Sequence, residues 1–207
     1  MKPSRLATCL ALMTILVVGW VSVVHGTIMV EVPLDTLLVR ADLAVRGTVL
    51  RTGTRVSIRE GVLDPKTHVW IRVDEVLAGT SAPPVVHLIE EGGRYEGVET
   101  VVSGSPRYAA GEEVVVFLIR IAGQADVFAT LEMTQGKFRI VKDTKSGDRL
   151  MVRDYSEVSM ARWRRKRLEI SEASVQKPIP LDTLKSRVRV LRLSTGESSE
   201  LPQKGQR

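Results

Sequence analysis

The sequence predicts a mainly β protein, an antiparallel sandwich or barrel with a short helix before the strands and a basic helical appendage after them. Runs of alternating apolar and polar residues follow one another at short intervals between residues 43 and 142. Turns that contain glycine separate these runs, and no long helical pattern lies between them. This combination is typical of all-β domains.

Residues 1–26 have the pattern of a secretory signal peptide. Lys2 and Arg5 precede an apolar stretch from Leu6 to Val24. We therefore expect an exported protein, in the periplasm, at the cell surface or secreted, with a mature chain that starts at Thr27. The alternative is anchoring by an uncleaved N-terminal helix, because the apolar stretch approaches the roughly 20 residues that span a bilayer.

Cysteine usage excludes several kinds of chemistry. Cys9 is the only cysteine of the chain, and it lies in the predicted signal peptide. A mature chain from Thr27 onward therefore has no disulfide, no thiolate metal ligand and no cysteine nucleophile. Its stability has to come from burial of an apolar core.

The elements are predicted in the following order. A leucine stripe that starts at Leu34 predicts the short helix, with Pro33 suited to its first turn. Gly47 falls in the first strand, where a glycine is costly unless the strand bends or another backbone passes close. Glu113–Ile121 is the most apolar run and is expected to be the central strand. The predicted strands are Leu43–Arg51, Thr54–Glu60, Thr67–Val76, Pro84–Glu90, Glu113–Ile121, Val127–Met133 and Lys137–Lys142.

The pattern changes beyond about residue 150. Ser156–Ile170 is predicted to form a short basic helix, and Ser171–Pro180 a linker. A stripe that starts at Leu181 predicts a second helix, followed by a polar tail. The predicted organisation is a signal peptide (1–26), a β-barrel domain (27–150), a basic helical appendage (151–193) and a disordered tail (194–207).

The pentapeptide Pro-Leu-Asp-Thr-Leu occurs twice, at residues 33–37 and 180–184. A β-pattern follows the first copy, whereas an arginine-rich stripe follows the second. We interpret both copies as similar helix starts, with an internal duplication as the alternative.

Three stretches carry a resemblance to a known family. They are residues 41–49 (ADLAVRGTV), 73–79 (VDEVLAG) and 104–118 (GSPRYAAGEEVVVFL). The chain resembles the netrin-like modules, which include the tissue inhibitors of metalloproteinases. Through residues 135–138 (QGKF) it also resembles exported bacterial proteins without assigned activity. The resemblance covers about residues 32–142 and implies a five-stranded OB-type barrel.

The resemblance does not extend to the inhibitory residues of that family. Metalloproteinase inhibitors act through an N-terminal cysteine that chelates the catalytic zinc, and disulfides cross-link their barrels. This chain has Thr27 at its expected mature start and no cysteine after it. The resemblance therefore implies a fold, and a fold alone does not determine function.

Few residues suggest catalysis. There is no nucleophile motif of the G-x-S-x-G type, and the mature chain has only two histidines, His68 and His87. If their strands pair, they could approach each other and hold a metal with Asp74 or Glu90, although ordinary cross-strand histidines are the simpler interpretation. Acidic residues are adjacent at 74–75, 90–91 and 112–113. The two members of each pair are expected to point to opposite faces of their strand, so that neither can act as the other's catalytic partner. We predict no enzyme activity, no metal and no cofactor.

The sharpest local feature is a basic run. The formal net charge is +6, and lysine and arginine are concentrated between residues 161 and 193. The candidate residues for contact with an anionic glycan or membrane surface are Arg162, Trp163, Arg164, Arg165, Lys166 and Arg167. The alternative is a solvated helix face whose Trp163 packs on the barrel. No nucleic-acid partner is expected for an exported protein.

The sequence thus favours an exported, non-enzymatic binding module. Its partner would be an unknown protein that contacts the barrel loops or edge, with a possible anionic surface at the basic run. The alternative is a protease-associated regulator or inhibitor that acts without a cysteine, through exposed residues 27–30.

Overall fold

The computed structural model describes residues 27–164, 167–171 and 177–194. The predicted signal peptide, Arg165 and Lys166 of the basic run, most of the predicted linker and nearly all of the predicted tail lie outside the described residues. The predicted class is confirmed: the chain is mainly β, with a short helix near its start and a second helix near its end.

The helices are α1 (Leu34–Arg40) and α2 (Leu181–Ser194). The strands are β1 (Thr27–Val30), β2 (Leu43–Arg59), β3 (Val62–Ala78), β4 (Val85–Glu91), β5 (Gly93–Tyr95), β6 (Val98–Thr100), β7 (Glu113–Arg120), β8 (Val127–Thr130), β9 (Lys137–Lys142), β10 (Arg149–Val152), β11 (Val158–Arg164), β12 (Arg167–Ser171) and β13 (Ile179–Pro180). The predicted strand at 54–60 is the second half of β2 rather than a separate strand.

Five strands close into a ring in the order β2–β3–β4–β8–β7 and back to β2. The β4–β8 pair is parallel and the other four pairs are antiparallel, which is the arrangement of an OB-type barrel. The closure is uneven. Strands β2 and β3 pair along nearly their whole length, whereas β4 and β8 pair only at His87–Val127 and Leu88–Phe128. The far ends of β2 and β3 form a two-stranded ribbon beyond the barrel.

The barrel interior is filled by alternate aliphatic residues and one phenylalanine: Leu43, Val45, Val49, Val69, Ile71, Val86, Leu88, Val114, Val116, Leu118 and Phe128. Gly47 marks a register irregularity between β2 and β3. A Cβ atom at this position would lie 2.2 Å from the carbonyl oxygen of Arg72. The close passage of another backbone, expected from the sequence, is therefore the reason for this glycine.

A second core lies outside the barrel, where both helices cover the sheet. Leu34 and Leu37 of α1 belong to the same buried cluster as Leu181 and Leu184 of α2, and Phe117 of β7 packs with them. Both copies of the repeated pentapeptide begin a helix, as predicted. Since a fully buried leucine contributes about 1.5–3 kcal/mol, α2 is an integral part of this core.

The prediction of a helix at 156–170 is wrong. Residues 158–164 and 167–171 form the paired strands β11 and β12, and β1 pairs in parallel with β11 from Thr27–Val158 to Val30–Ala161. The apolar residues alternate, so that Val158 and Met160 are buried on one side. The partner strand β1 lies far away along the sequence, and the local pattern could not show it.

Among the described residues, no helix is both long and apolar enough to cross a bilayer.

Candidate functional site

The candidate site lies on the outer surface of β2, β3 and β4. Because Val69 and Ile71 of β3 point into the barrel, their neighbours His68 and Trp70 point outward. On β4, His87 lies directly opposite Trp70. The three side chains thus share one exterior face.

Trp70 is flanked on both sides. The Arg51 guanidinium lies 3.5 Å from the centre of the indole ring. The His87 ring lies 4.8 Å from it, at an angle of 6°. Since β2 and β4 border β3 on opposite sides, these neighbours cover the two faces of the indole. A cation over an indole contributes about 0.5–2 kcal/mol to stability. The contact with Arg51 therefore helps to hold Trp70 in place.

The two histidines form a hydrogen-bonded pair. Nδ1 of His68 lies 2.8 Å from Nε2 of His87, so one ring donates an N–H and the other accepts it. Burial, the His87 ring and Arg55 lower the pKa of His68. Burial lowers the pKa of His87 as well, together with Arg55 and Arg51. Both imidazoles are therefore neutral at pH 7 and gain charge only on acidification.

Four cations continue this face along the ribbon. We call them the cationic stripe: Arg51, Arg55 and Arg59 on β2, and Lys66 on β3, opposite Arg55. The three arginines stand four residues apart, which places their Cα atoms about 13 Å apart on one face of the strand. Their side of the ribbon is exposed to solvent.

The acids beside the stripe are held by Lys66. Its ammonium forms ion pairs with Asp64 and with Glu91, and these carboxylates raise the pKa of Lys66 against the opposing effect of burial. The arginines on β2 are thus the cations that this face presents to a ligand.

The geometry does not assemble the metal site considered from the sequence. Asp74 pairs with Arg72, and Glu90 lies inside the barrel, where Thr130 donates to it. Within the described ranges, no three His, Cys, Asp or Glu side chains are grouped to hold a metal. The nearby arginines would also repel a metal cation.

Of the three adjacent acid pairs, Glu90 and Glu91 point to opposite faces as predicted, whereas Asp74 and Glu75 both contact residues of the outer face, because the β2–β3 register shifts there. Glu90 is buried and accepts hydrogen bonds from the backbone N–H and the hydroxyl of Thr130. The Tyr108 hydroxyl in turn lies 2.6 Å from that of Thr130. Burial raises the pKa of Glu90 to about 7. Glu91, by contrast, is exposed beside Lys66.

A cavity of about 650 Å³ lies between the loops at 104–109 and 153–158. Lys137 lines it, and its ammonium contacts both carboxylate oxygens of Glu112 and the carbonyl of Arg107. Burial lowers the pKa of Lys137. Arg107 joins the two loops through Glu157. These ionic groups are engaged with one another.

The described residues of the basic run lie on the paired strands β11 and β12 rather than on a helix. The Arg162 guanidinium pairs with Glu31. Trp163, Arg164 and Arg167 occupy strand positions, while Arg165 and Lys166 lie outside the described residues. The sequence analysis did not single out the stripe. The even spacing of Arg51, Arg55 and Arg59 was a signal for it, because residues four apart in a strand share one face.

Comparisons of the chain with protein-family models, curated proteins and solved structures gave no match.

Proposed function

We propose that this chain is an exported, non-enzymatic binding module, and that the cationic stripe binds a linear acidic polysaccharide. The observation that carries the proposal is the alignment of Arg51, Arg55 and Arg59 along one exposed face of β2, next to a rigid row of rings. OB-type barrels bind oligonucleotides and oligosaccharides on their second and third strands, which are β3 and β4 here, and on the loop between their first and second strands. In this chain that loop is the end of the β2–β3 ribbon.

Charge favours an anionic ligand. The carboxylates beside the stripe, Asp64 and Glu91, both pair with Lys66, which leaves the β2 arginines to face solvent. Guanidinium groups donate to carboxylates and sulfates in a two-pronged geometry. Cations repeated along a strand suit an extended polymer that carries charge at regular intervals.

The covered faces of Trp70 favour a polysaccharide over a single-stranded nucleic acid. Proteins that bind single strands stack bases on open aromatic faces. Here Arg51 and His87 already occupy the two faces of the indole. The row therefore presents ring edges and N–H groups, which suit hydroxyl and carboxylate oxygens.

The described polar clusters support a non-enzymatic role. Lys137 is held by Glu112, and Glu90 is bound within the barrel by Thr130. Neither group stands beside a free acid or base that could complete an acid–base pair.

The test is equilibrium binding of residues 27–207 to four probes: polygalacturonate, dextran sulfate, uncharged dextran and single-stranded oligo-dT. The proposal expects binding to the two acidic polysaccharides, weakened by salt, and none to dextran. Binding to oligo-dT that equals or exceeds binding to the polysaccharides would overturn it.

The protease-associated role is a second candidate, because one observation favours it. Thr27–Val30 forms β1, an outer strand of its sheet within the described residues, with Ile28 and Val30 exposed. Proteases bind substrates and inhibitors in such an extended form. A chain that starts at Val32 should lose any protease inhibition and keep polysaccharide binding.

A further inference from the structure

The barrel closes through a short seam, which is the pairing of β4 with β8. These strands pair in register only at His87–Val127 and Leu88–Phe128. On its other side, β4 pairs with β3 from Lys66–Glu91 to Arg72–Val85. Parts of a fold that few backbone pairs hold together open at a lower free energy than the rest of the core. The seam is therefore the place where this barrel opens most readily.

Beyond Leu88–Phe128 a side chain continues the seam. Glu90 and Thr130 are the next inward-facing residues of the two strands, and both are buried. Oε1 of Glu90 accepts the backbone N–H of Thr130 at 3.0 Å and also accepts its hydroxyl. The Tyr108 hydroxyl lies 2.6 Å from that of Thr130, and burial raises the pKa of Tyr108 well above 10, so this phenol is neutral. One carboxyl group thus joins β4 to β8 at this end of the seam.

The surroundings of this carboxyl favour its neutral form. The charged groups that act on it are Glu91, the next residue of β4, and Lys137 of β9. Glu91 forms an ion pair with Lys66, and the ammonium of Lys137 contacts both carboxylate oxygens of Glu112. An ionised Glu90 would have the donors of its β8 partner in place of water, and a buried charge without a matching cation is costly.

We propose that the seam is a pH-sensitive switch: when Glu90 ionises, β4 separates from β8 while the other strand pairs of the barrel stay intact. Opening lets water reach the carboxylate, which removes the cost of holding a charge in the barrel interior. The inference does not rest on the proposed function.

The titration of two groups defines the pH range of the switch. The pKa of Glu90 is about 7 in the closed barrel, against 4.5 for an ordinary glutamate. Because the open state binds this proton less tightly, opening becomes more favourable as the pH rises from about 6 to 8. His87 lies on the outer face of the seam, and burial lowers its pKa below 6.5. Its titration therefore falls on the acid side of this range.

The test uses a single cysteine to report access to the barrel interior, since residues 27–207 contain none. Val86→Cys places a thiol on β4 beside the first pair of the seam, and Val116→Cys is the matched control on β7. Both valines are fully buried inside the barrel. The rate of reaction with iodoacetamide is measured at pH 6, 7 and 8 and divided by that of free cysteine, which corrects for thiolate formation. Urea unfolding of each variant gives the rate expected from global unfolding alone.

At pH 8 we expect V86C to react at least tenfold faster than global unfolding allows, and V116C to react at the global rate. The corrected rate of V86C should rise about tenfold between pH 6 and pH 8, and the double variant V86C/E90Q should lose this rise. The proposal is overturned if V86C reacts only at the global rate, or if the rise persists in V86C/E90Q. The comparison of V86C with V116C decides the first point even if E90Q is unstable.

Discussion

Nδ1 of His68 lies 2.8 Å from Nε2 of His87 across the β3–β4 pair. This contact holds the outer row of rings in place and links its charge to pH. Burial lowers the pKa of both histidines, together with Arg55 at both rings and Arg51 at His87. Acid therefore adds positive charge where the stripe already concentrates it.

Polysaccharide binding should therefore strengthen on acidification. Between pH 7 and pH 5 we expect affinity for polygalacturonate to rise about three- to tenfold as the pair gains a proton. The groups that face the pair are Arg51 and Arg55 of β2, with the Lys66–Glu91 ion pair beside them. The variant H68Q/H87Q should show a flat profile from pH 7 to pH 5. If the variant instead shows the same rise in affinity as the wild type, the assignment is contradicted.

Stability without ligand should change in the opposite direction. Burial lowers the pKa of both histidines in the folded chain, so the unfolded chain binds protons more readily. The free energy of unfolding then falls as the pH drops below about 6.5. Urea unfolding of the wild type and of H68Q/H87Q across this range measures the difference. If the two proteins lose stability equally, other groups are responsible.

How far the sequence predicts this fold depends on how local the signal is. Alternating runs correctly predicted a mainly β chain, and Gly47 correctly indicated close backbone contact. Strands β11 and β12 were missed because β1, which pairs with β11, lies far away in the sequence. The stripe was missed for a similar reason, since only the pairing of β2 with β3 shows that Arg51 faces Trp70.

Glu90 should make stability depend on pH near neutrality. Its pKa is about 7 in the folded chain against 4.5 for an ordinary glutamate, so the folded state binds its proton more tightly. The contribution of Glu90 to the free energy of unfolding is then fully present below about pH 4.5 and falls as the pH rises to 7, by at most about 3 kcal/mol. Replacing Glu90 by Gln should remove this dependence, as measured by urea unfolding at pH 5 and pH 8. Parallel curves for wild type and E90Q would refute the prediction.

Gly47→Ala should destabilise the barrel strongly, because its Cβ would lie 2.2 Å from the Arg72 carbonyl oxygen. We expect a loss of about 2–4 kcal/mol, as for other severe core overpacking. The matched control is Gly53→Ala in the same strand, where nothing lies within 4 Å; it should change stability by about 0.5 kcal/mol or less. Similar losses for both variants would show that strand propensity, not the close contact, explains Gly47.

Leu184→Ala tests whether α2 belongs to the core. Leu184 is fully buried in the cluster that also contains Leu37 of α1, so its truncation should cost about 2–5 kcal/mol. Val190→Ala on the exposed side of α2 is the control and should be nearly neutral. A neutral Leu184→Ala would indicate that α2 is dispensable for the fold.

The most direct test of the central claim is a charge reversal on the stripe. Binding of residues 27–207 to polygalacturonate should be measured for the wild type, for R55E on β2 and for R189E on the exposed side of α2, at low and high salt. Both variants change the net charge equally. The account predicts at least tenfold weaker binding for R55E and near wild-type binding for R189E at low salt. Equal loss in both variants would show that binding follows net charge alone, and would contradict a site on the stripe.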